Sequence, residues 1–324
     1  MPTIASADIE GHCVHAGFIS NLPVFCGADG RVYRLEGALR DTVQHDGLLC
    51  AAETLDRSML LTGGEDGRVN ALSSDGKVET LGLVPRKWVT AIASGPNASL
   101  AWASGKTAWF RDNTGKVHEH ALPRSVEGVA LAPKGARLAA SRYNGVTLLW
   151  AAASGAPVEL EWKGAHNAVC FSPDGRFVVT TMQENALHGW KLEDGKHMRM
   201  TGYPGKVKSW SWSAKGRFLA TSGAEAAIVW PFHAKDGPMG KAPLELGTRP
   251  DVLVTAVACH PTDEFCAVGY SDGMILGVRF ADSKEVLLRR GGKGALTSMS
   301  WDAGGFRLAF GSEAGDCGVV DLAG

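Results

Sequence analysis

A single closed β-propeller is the fold class predicted by this 324-residue sequence, an all-β chain with no long helical stretch. Three observations predict it. Phe110, Trp150, Trp190 and Trp230 stand forty positions apart, and each ends an apolar strand that follows a Gly-containing turn. A fixed period of about 40 residues, with several short strands per unit, is the pattern of a propeller blade. Within a unit, apolar and polar residues alternate with period two, as expected of strands with one buried face. Finally, 41 glycines and 14 prolines match the many turns that short strands require.

The clearest unit starts at Ala165. Its inner strand a alternates through Val169 and Phe171, "SPDG" from Ser172 turns the chain, and strand b follows as "RFVVTT". A polar turn leads into strand c, which ends at Trp190, and "EDGK" opens the outer strand d. Aligning the other units on their turns gives eight strand c termini: Leu35, Leu72, Phe110, Trp150, Trp190, Trp230, Val278 and Val320. Their spacings are 37, 38, 40, 40, 40, 48 and 42. The expectation is eight four-stranded blades in one domain, 1–324, with seven as the alternative because the first units are weakly patterned. Residues 2–9 precede the first strand a, and the last unit, 293–324, stops after strand c. The N-terminal segment is therefore predicted to complete that blade, closing the ring and hiding its edges.

In the clearest unit, His166 precedes strand a, Thr180 lies in strand b, Glu184 sits in the b to c turn and Trp190 ends strand c. This arrangement resembles the WD-repeat (WD40) family, which carries His, Ser/Thr, Asp and Trp at these places. The match is eroded elsewhere. The residue after the aromatic is Arg111, Ala151, Lys191 or Pro231, where the family has Asp, and only Asp321 keeps the type. Turn aspartates persist at Asp29, Asp66 and Asp272. The resemblance implies that the d to a and b to c connections share one face, at the mouth of the central channel.

A formal charge of -1 and a pI near 6.8 leave no global field to attract nucleic acid or an anionic membrane. The start, "MPTIASADIEG", has neither a basic stretch nor an apolar core, and no run approaches the ~18 apolar residues of a membrane helix, so a cytoplasmic protein is expected. Seven cysteines without a CxxC pair argue against a disulfide framework, and Cys170, Cys259 and Cys266 sit within apolar strand patterns.

Several clusters suggest chemistry on first sight. His12, Cys13 and His15 fall within four residues, and His118 with His120 share a strand face. Zinc needs three or four converging ligands, whereas neighbours in a strand point to opposite faces, so neither cluster supplies a set alone. His12 follows Gly11 and answers to the family's Gly-His pair. Trp210 and Trp212 alternate with serines and suit packing between blades. "GGKG" from Gly291 lacks the Ser or Thr and the following helix of a phosphate loop. With no GxSxG, HExxH or GxGxxG, no enzyme and no cofactor are expected.

The d to a connections are repeatedly basic: Arg86 with Lys87, Arg124, Lys163, Lys206 with Lys208, Arg249, and Arg290 with Lys293. Trp88, His166 and Tyr203 lie beside them. The b to c turns supply Asp29, Glu65, Asp66, Glu184, Glu225 and Asp272, which offset these cations if the two sets meet between blades. The expected function is a non-catalytic scaffold or adaptor that presents a partly basic channel-mouth face to an acidic peptide or protein. Its candidate contacts are Arg86, Lys87, Trp88, Arg142, Tyr143, Lys206, Arg249 and Lys293, since Arg and aromatic side chains anchor interfaces. Two other classes compete: a metal- or small-molecule-binding propeller, a hydrolase included, that uses the central channel as metal-dependent lactonases do, with His12, Cys13 and His15 as ligands, and a nucleic-acid binder.

Overall fold

The computed structural model describes residues 2–323. They form β-strands and no helix, arranged in seven sheets, the blades of a β-propeller. Six sheets have four strands and the seventh has six. The count differs from the eight blades expected, and the reason lies in two strands. Arg137–Trp150 and Val158–Phe171 each run unbroken for 14 residues, so the fourth and fifth repeats share one sheet.

The registers show how. The first half of Arg137–Trp150 pairs with Val126–Leu131, through Val129↔Ala140, and its second half with the start of Val158–Phe171, through Val146↔Leu160. The remainder of Val158–Phe171 pairs with Phe177–Met182, through Val169↔Thr180. Gly145, at φ 130, lets the first long strand turn: a Cβ there would lie 2.1 Å from the Leu160 carbonyl oxygen.

By contact density the chain divides into two compact units, one ending at Thr42 and resuming at Gly202, the other running from Val43 to Thr201. In the first, Thr3–Ser6 pairs antiparallel with Gly318–Asp321, in register Thr3↔Asp321 to Ser6↔Gly318. The inner face of that unit buries Phe18 and Phe25, then Val257, Val268 and Val278, then Leu308, Phe310 and Val320. Each such side chain contributes about 1.5–3 kcal/mol by leaving water. Polar stitches join neighbouring sheets: Trp301 Nε1 donates to Ala258 O at 3.0 Å, and Cys259 N donates to Ser211 Oγ at 2.9 Å. Trp212 packs edge-on against Phe232, centroids 4.9 Å apart, while Ser211, between the tryptophans of strand Trp210–Trp212, makes the second of these stitches.

The second unit buries Leu61, Val69, Leu100 and Trp102, then Phe110 and Leu138, then Val146, Val178 and Trp190. Trp150 departs from the pattern of the forty-residue series. It is 42% exposed and lies under Arg137, whose guanidinium sits 4.4 Å from the ring.

Candidate interaction face

In each unit the d to a and b to c connections touch through backbone hydrogen bonds. In the second unit Glu65 N donates to Gly47 O (2.9 Å), Val84 N to Gly67 O (2.8 Å), Leu122 N to Lys106 O (2.8 Å) and Gln183 N to Ala165 O (3.0 Å). In the first, Ala28 N donates to His12 O, Ser271 N to Leu253 O and Glu313 N to Ala295 O, each at 2.9 Å. Loops whose buried N–H groups are satisfied in this way hold one conformation. Gly67 is required for one of them: at φ 77, a Cβ would meet the carbonyl oxygens of Val84 at 2.2 Å and Lys87 at 2.6 Å. Only glycine lets the loop carrying Arg86, Lys87 and Trp88 sit so close to the turn.

Side-chain networks brace the same connections. His45 Nδ1 lies 2.9 Å from Asp66 Oδ1 and its Nε2 2.9 Å from Thr62 Oγ1. His166 Nδ1 lies 2.8 Å from Thr180 Oγ1, and its Nε2 3.0 Å from Trp162 O. Burial lowers the His166 pKa, which keeps that imidazole neutral. In the next repeat a tyrosine takes the histidine's place. Trp230 Nε1 donates to Tyr203 Oη at 2.6 Å, and that hydroxyl lies 2.7 Å from Thr221 Oγ1, which donates to Ile228 O at 2.8 Å.

Tyr203 is therefore a buried brace, not an aromatic group displayed beside the basic loops. Burial raises its phenol to about 12. Tyr203→Phe would strand the Trp230 donor and should cost about 2 kcal/mol. The thermal midpoint is expected to fall by about 4 °C. An unchanged midpoint would show that the network contributes nothing.

The candidate contacts separate into paired and unpaired groups. Arg249 makes two bonds to Asp272, 3.1 and 2.9 Å, and lies 4.8 Å from the Tyr270 ring. The guanidinium in turn lowers the Asp272 pKa. Arg289 holds Asp316 at 2.7 Å, and the same carboxylate accepts the Lys293 backbone N–H at 2.6 Å. The "GGKG" loop thus already closes on an internal anion, while the Lys293 side chain stays exposed.

Arg142 corrects the expectation most sharply. It is buried, with Nη2 on Glu159 Oε2, Nε donating to Thr147 Oγ1 at 2.9 Å and Nη1 to Tyr143 O at 3.0 Å. Its role is to hold the turn that displays Tyr143. That ring is 51% exposed, with the Arg124 guanidinium 5.8 Å away.

Arg86, Lys87, Lys206 and Trp88 are exposed, Trp88 at 56%. Arg86 adopts φ 59, a left-handed conformation that costs a non-glycine residue about 1–2 kcal/mol. Arg86→Gly should therefore stabilise the fold by about 0.5 kcal/mol after the added unfolded-chain entropy is subtracted. Equilibrium urea unfolding tests this, and a destabilised variant would mean that the side chain packs. Sequence reasoning overlooked Lys106. The available signal was its position in a b to c turn where other repeats carry Asp or Glu.

No group of three or more His, Cys, Asp or Glu among the described residues is arranged to hold a metal. His12 is exposed, whereas Cys13 is buried and its thiol is raised by a hydrogen bond with Cys317 and by burial. His118 Nε2 lies 3.3 Å from Asp112 Oδ2, and His120 Nε2 2.9 Å from Ala151 O. The histidines of that pair therefore have separate partners.

Comparison with protein-family models and with curated proteins gives no match. Among solved structures, the chain is similar to the computationally designed protein Ika8. The likeness covers 97% of each chain at a TM-score of 0.78 and 18% sequence identity, which speaks for the fold alone.

Proposed function

We propose that this chain is a non-catalytic interaction module, a scaffold or adaptor of divergent WD-repeat type. In this reading the six-stranded sheet counts as two repeat positions, and the His166–Thr180 and Tyr203–Thr221–Trp230 networks are altered forms of the family's side-chain brace. The observation that carries the proposal is the set of hydrogen-bonded connections described above, on which exposed cations stand beside exposed aromatic rings. Loops ordered before binding lose little entropy when a partner arrives. Arg and large aromatic side chains are the usual anchors of binding energy.

The test is affinity purification of the tagged chain, with identification of whatever copurifies in stoichiometric amount. A partner released by charge reversal at Arg86 or Lys87, and released progressively by salt, is the expected result. Absence of any stoichiometric partner, or a partner indifferent to substitutions in all of these connections, would overturn the reading.

A further inference from the structure

Most b to c turns carry a carboxylate that is used internally. Asp29 accepts from Tyr33, Asp66 meets His45, Glu225 accepts the Asp251 backbone N–H, Asp272 holds Arg249 and Asp316 holds Arg289. Two consecutive turns carry no carboxylate at all, and both lie in the unit from Val43 to Thr201. One is Gly105–Lys106, and the other is Tyr143 with Asn144. Where the other turns would neutralise the neighbouring loop, these add a cation and an aromatic ring.

The consequence is a local sector of positive charge. Leu122 N and Val126 N donate to Lys106 O and Gly105 O, each at 2.8 Å, which holds Arg124 beside Lys106. Arg124 in turn lies by the Tyr143 ring. The preceding connection presents Arg86, Lys87 and Trp88. Arg86, Lys87, Lys106 and Arg124 are exposed, and none makes an ion pair among the described residues. Exposed carboxylates adjoin the sector as well: Glu65 lies in the turn that meets the Arg86 connection, and Glu127 lies beside Arg124. On its other side, Tyr143 borders a cleft of about 500 Å³ lined also by Asn144, Glu161, Trp162 and Lys163.

Resting on the interaction reading above, we infer that this sector binds an extended acidic peptide segment with an aromatic or large apolar residue among its carboxylates. The spread of four cations over two d to a connections and the turn between them suits a row of side-chain carboxylates. Trp88 and Tyr143 supply apolar contact where a carboxylate would gain nothing. A nucleic acid offers similar charge with stacking bases, but a chain of formal charge -1 has no global field to draw in a polyanionic backbone.

Fluorescence anisotropy tests the inference with three labelled probes: octaglutamate, the same peptide with a central Phe, and an eight-nucleotide oligouridylate. Expected are tighter binding of the Phe-bearing peptide than of octaglutamate, and at least tenfold weaker binding in Lys106→Glu and Arg124→Glu. Trp88→Ala should erase the advantage of the Phe. Lys77→Glu, in a c to d turn at the other end of a blade, should leave binding unchanged. Circular dichroism melts confirm that each variant folds. Oligouridylate bound as tightly as the peptides would overturn the inference in favour of nucleic acid. Peptide binding that is absent, or that is equally weakened by Lys77→Glu, would overturn it outright. If the peptides fail while a copurified partner is still lost on Arg86 or Lys87 reversal, the interaction reading survives and only the acidic segment falls.

Discussion

Lowering the pH from 6.5 to 4.5 should destabilise the protein by about 2 kcal/mol through His188 alone. This imidazole is fully buried and neither ring nitrogen has a hydrogen-bond partner among the described residues. It stacks on Trp162 with centroids 4.3 Å apart, and meets Trp190 edge-on at 4.6 Å. Burial first, then the nearby His166, His197 and Arg199, depress its pKa to about 3. The unfolded chain titrates near the ordinary value of about 6.5. Below that pH the unfolded state binds a proton that the folded state refuses. Stability from this group is therefore whole above pH 6.5 and is lost as the pH falls toward 3, by about 1.4 kcal/mol per unit. Burial shifts His166 in the same direction.

His188→Phe keeps the stacking and removes both the titration and the orphaned nitrogens. The variant should be at least as stable as the parent at pH 7.5 and should lose much less on acidification to pH 4.5. Carboxylates, whose losses begin near pH 5, are the same in both proteins and cancel in the comparison. An identical pH profile in the two proteins would sink the assignment.

Removing the carboxylate of Glu159 should cost about 2–3 kcal/mol. Arg142 is buried, and its charge is met by Glu159, Thr147 and a backbone carbonyl. Thr147 Oγ1 also donates to Glu159 Oε2 at 2.8 Å. Breaking a buried pair from one side leaves the other charge uncompensated, at about 3–5 kcal/mol. The Glu159 side chain is 37% exposed, so water can partly replace it, which lowers the expected figure. Glu159→Ala measures the loss. The double variant Arg142→Leu with Glu159→Leu should recover most of it, since no charge then remains buried. A loss below ~1 kcal/mol in Glu159→Ala would mean that Arg142 relaxes to solvent, and the turn that displays Tyr143 would not depend on it.

These two sites show where sequence reading reached and where it stopped. The four-strand repeat was legible because period-two alternation and Gly-rich turns are local signals. All eight strand c termini lie in strands, Leu72 in Arg68–Ser73 and Trp190 in Leu187–Lys191 among them. The sheet count was not legible. A turn that bends one strand and a turn that separates two look alike in residue types, and only the unbroken run Val158–Phe171, paired through Leu160 to Val146 and through Val169 to Thr180, distinguishes them. The basic character of the d to a connections was visible, but whether a given cation faces solvent or a carboxylate depends on residues far away in the chain. Arg249 meets Asp272, 23 positions on, and Arg142 meets Glu159, 17 positions on.

Strand type, turn chemistry and the forty-residue period arise from neighbours within a few positions, so the chain specifies them before it folds. Which sheets join, which histidine is buried without a partner, and which cations stay unpaired are consequences of close approach between distant segments. Burial and Coulomb attraction act over distances of a few ångströms, and only the folded chain sets those distances.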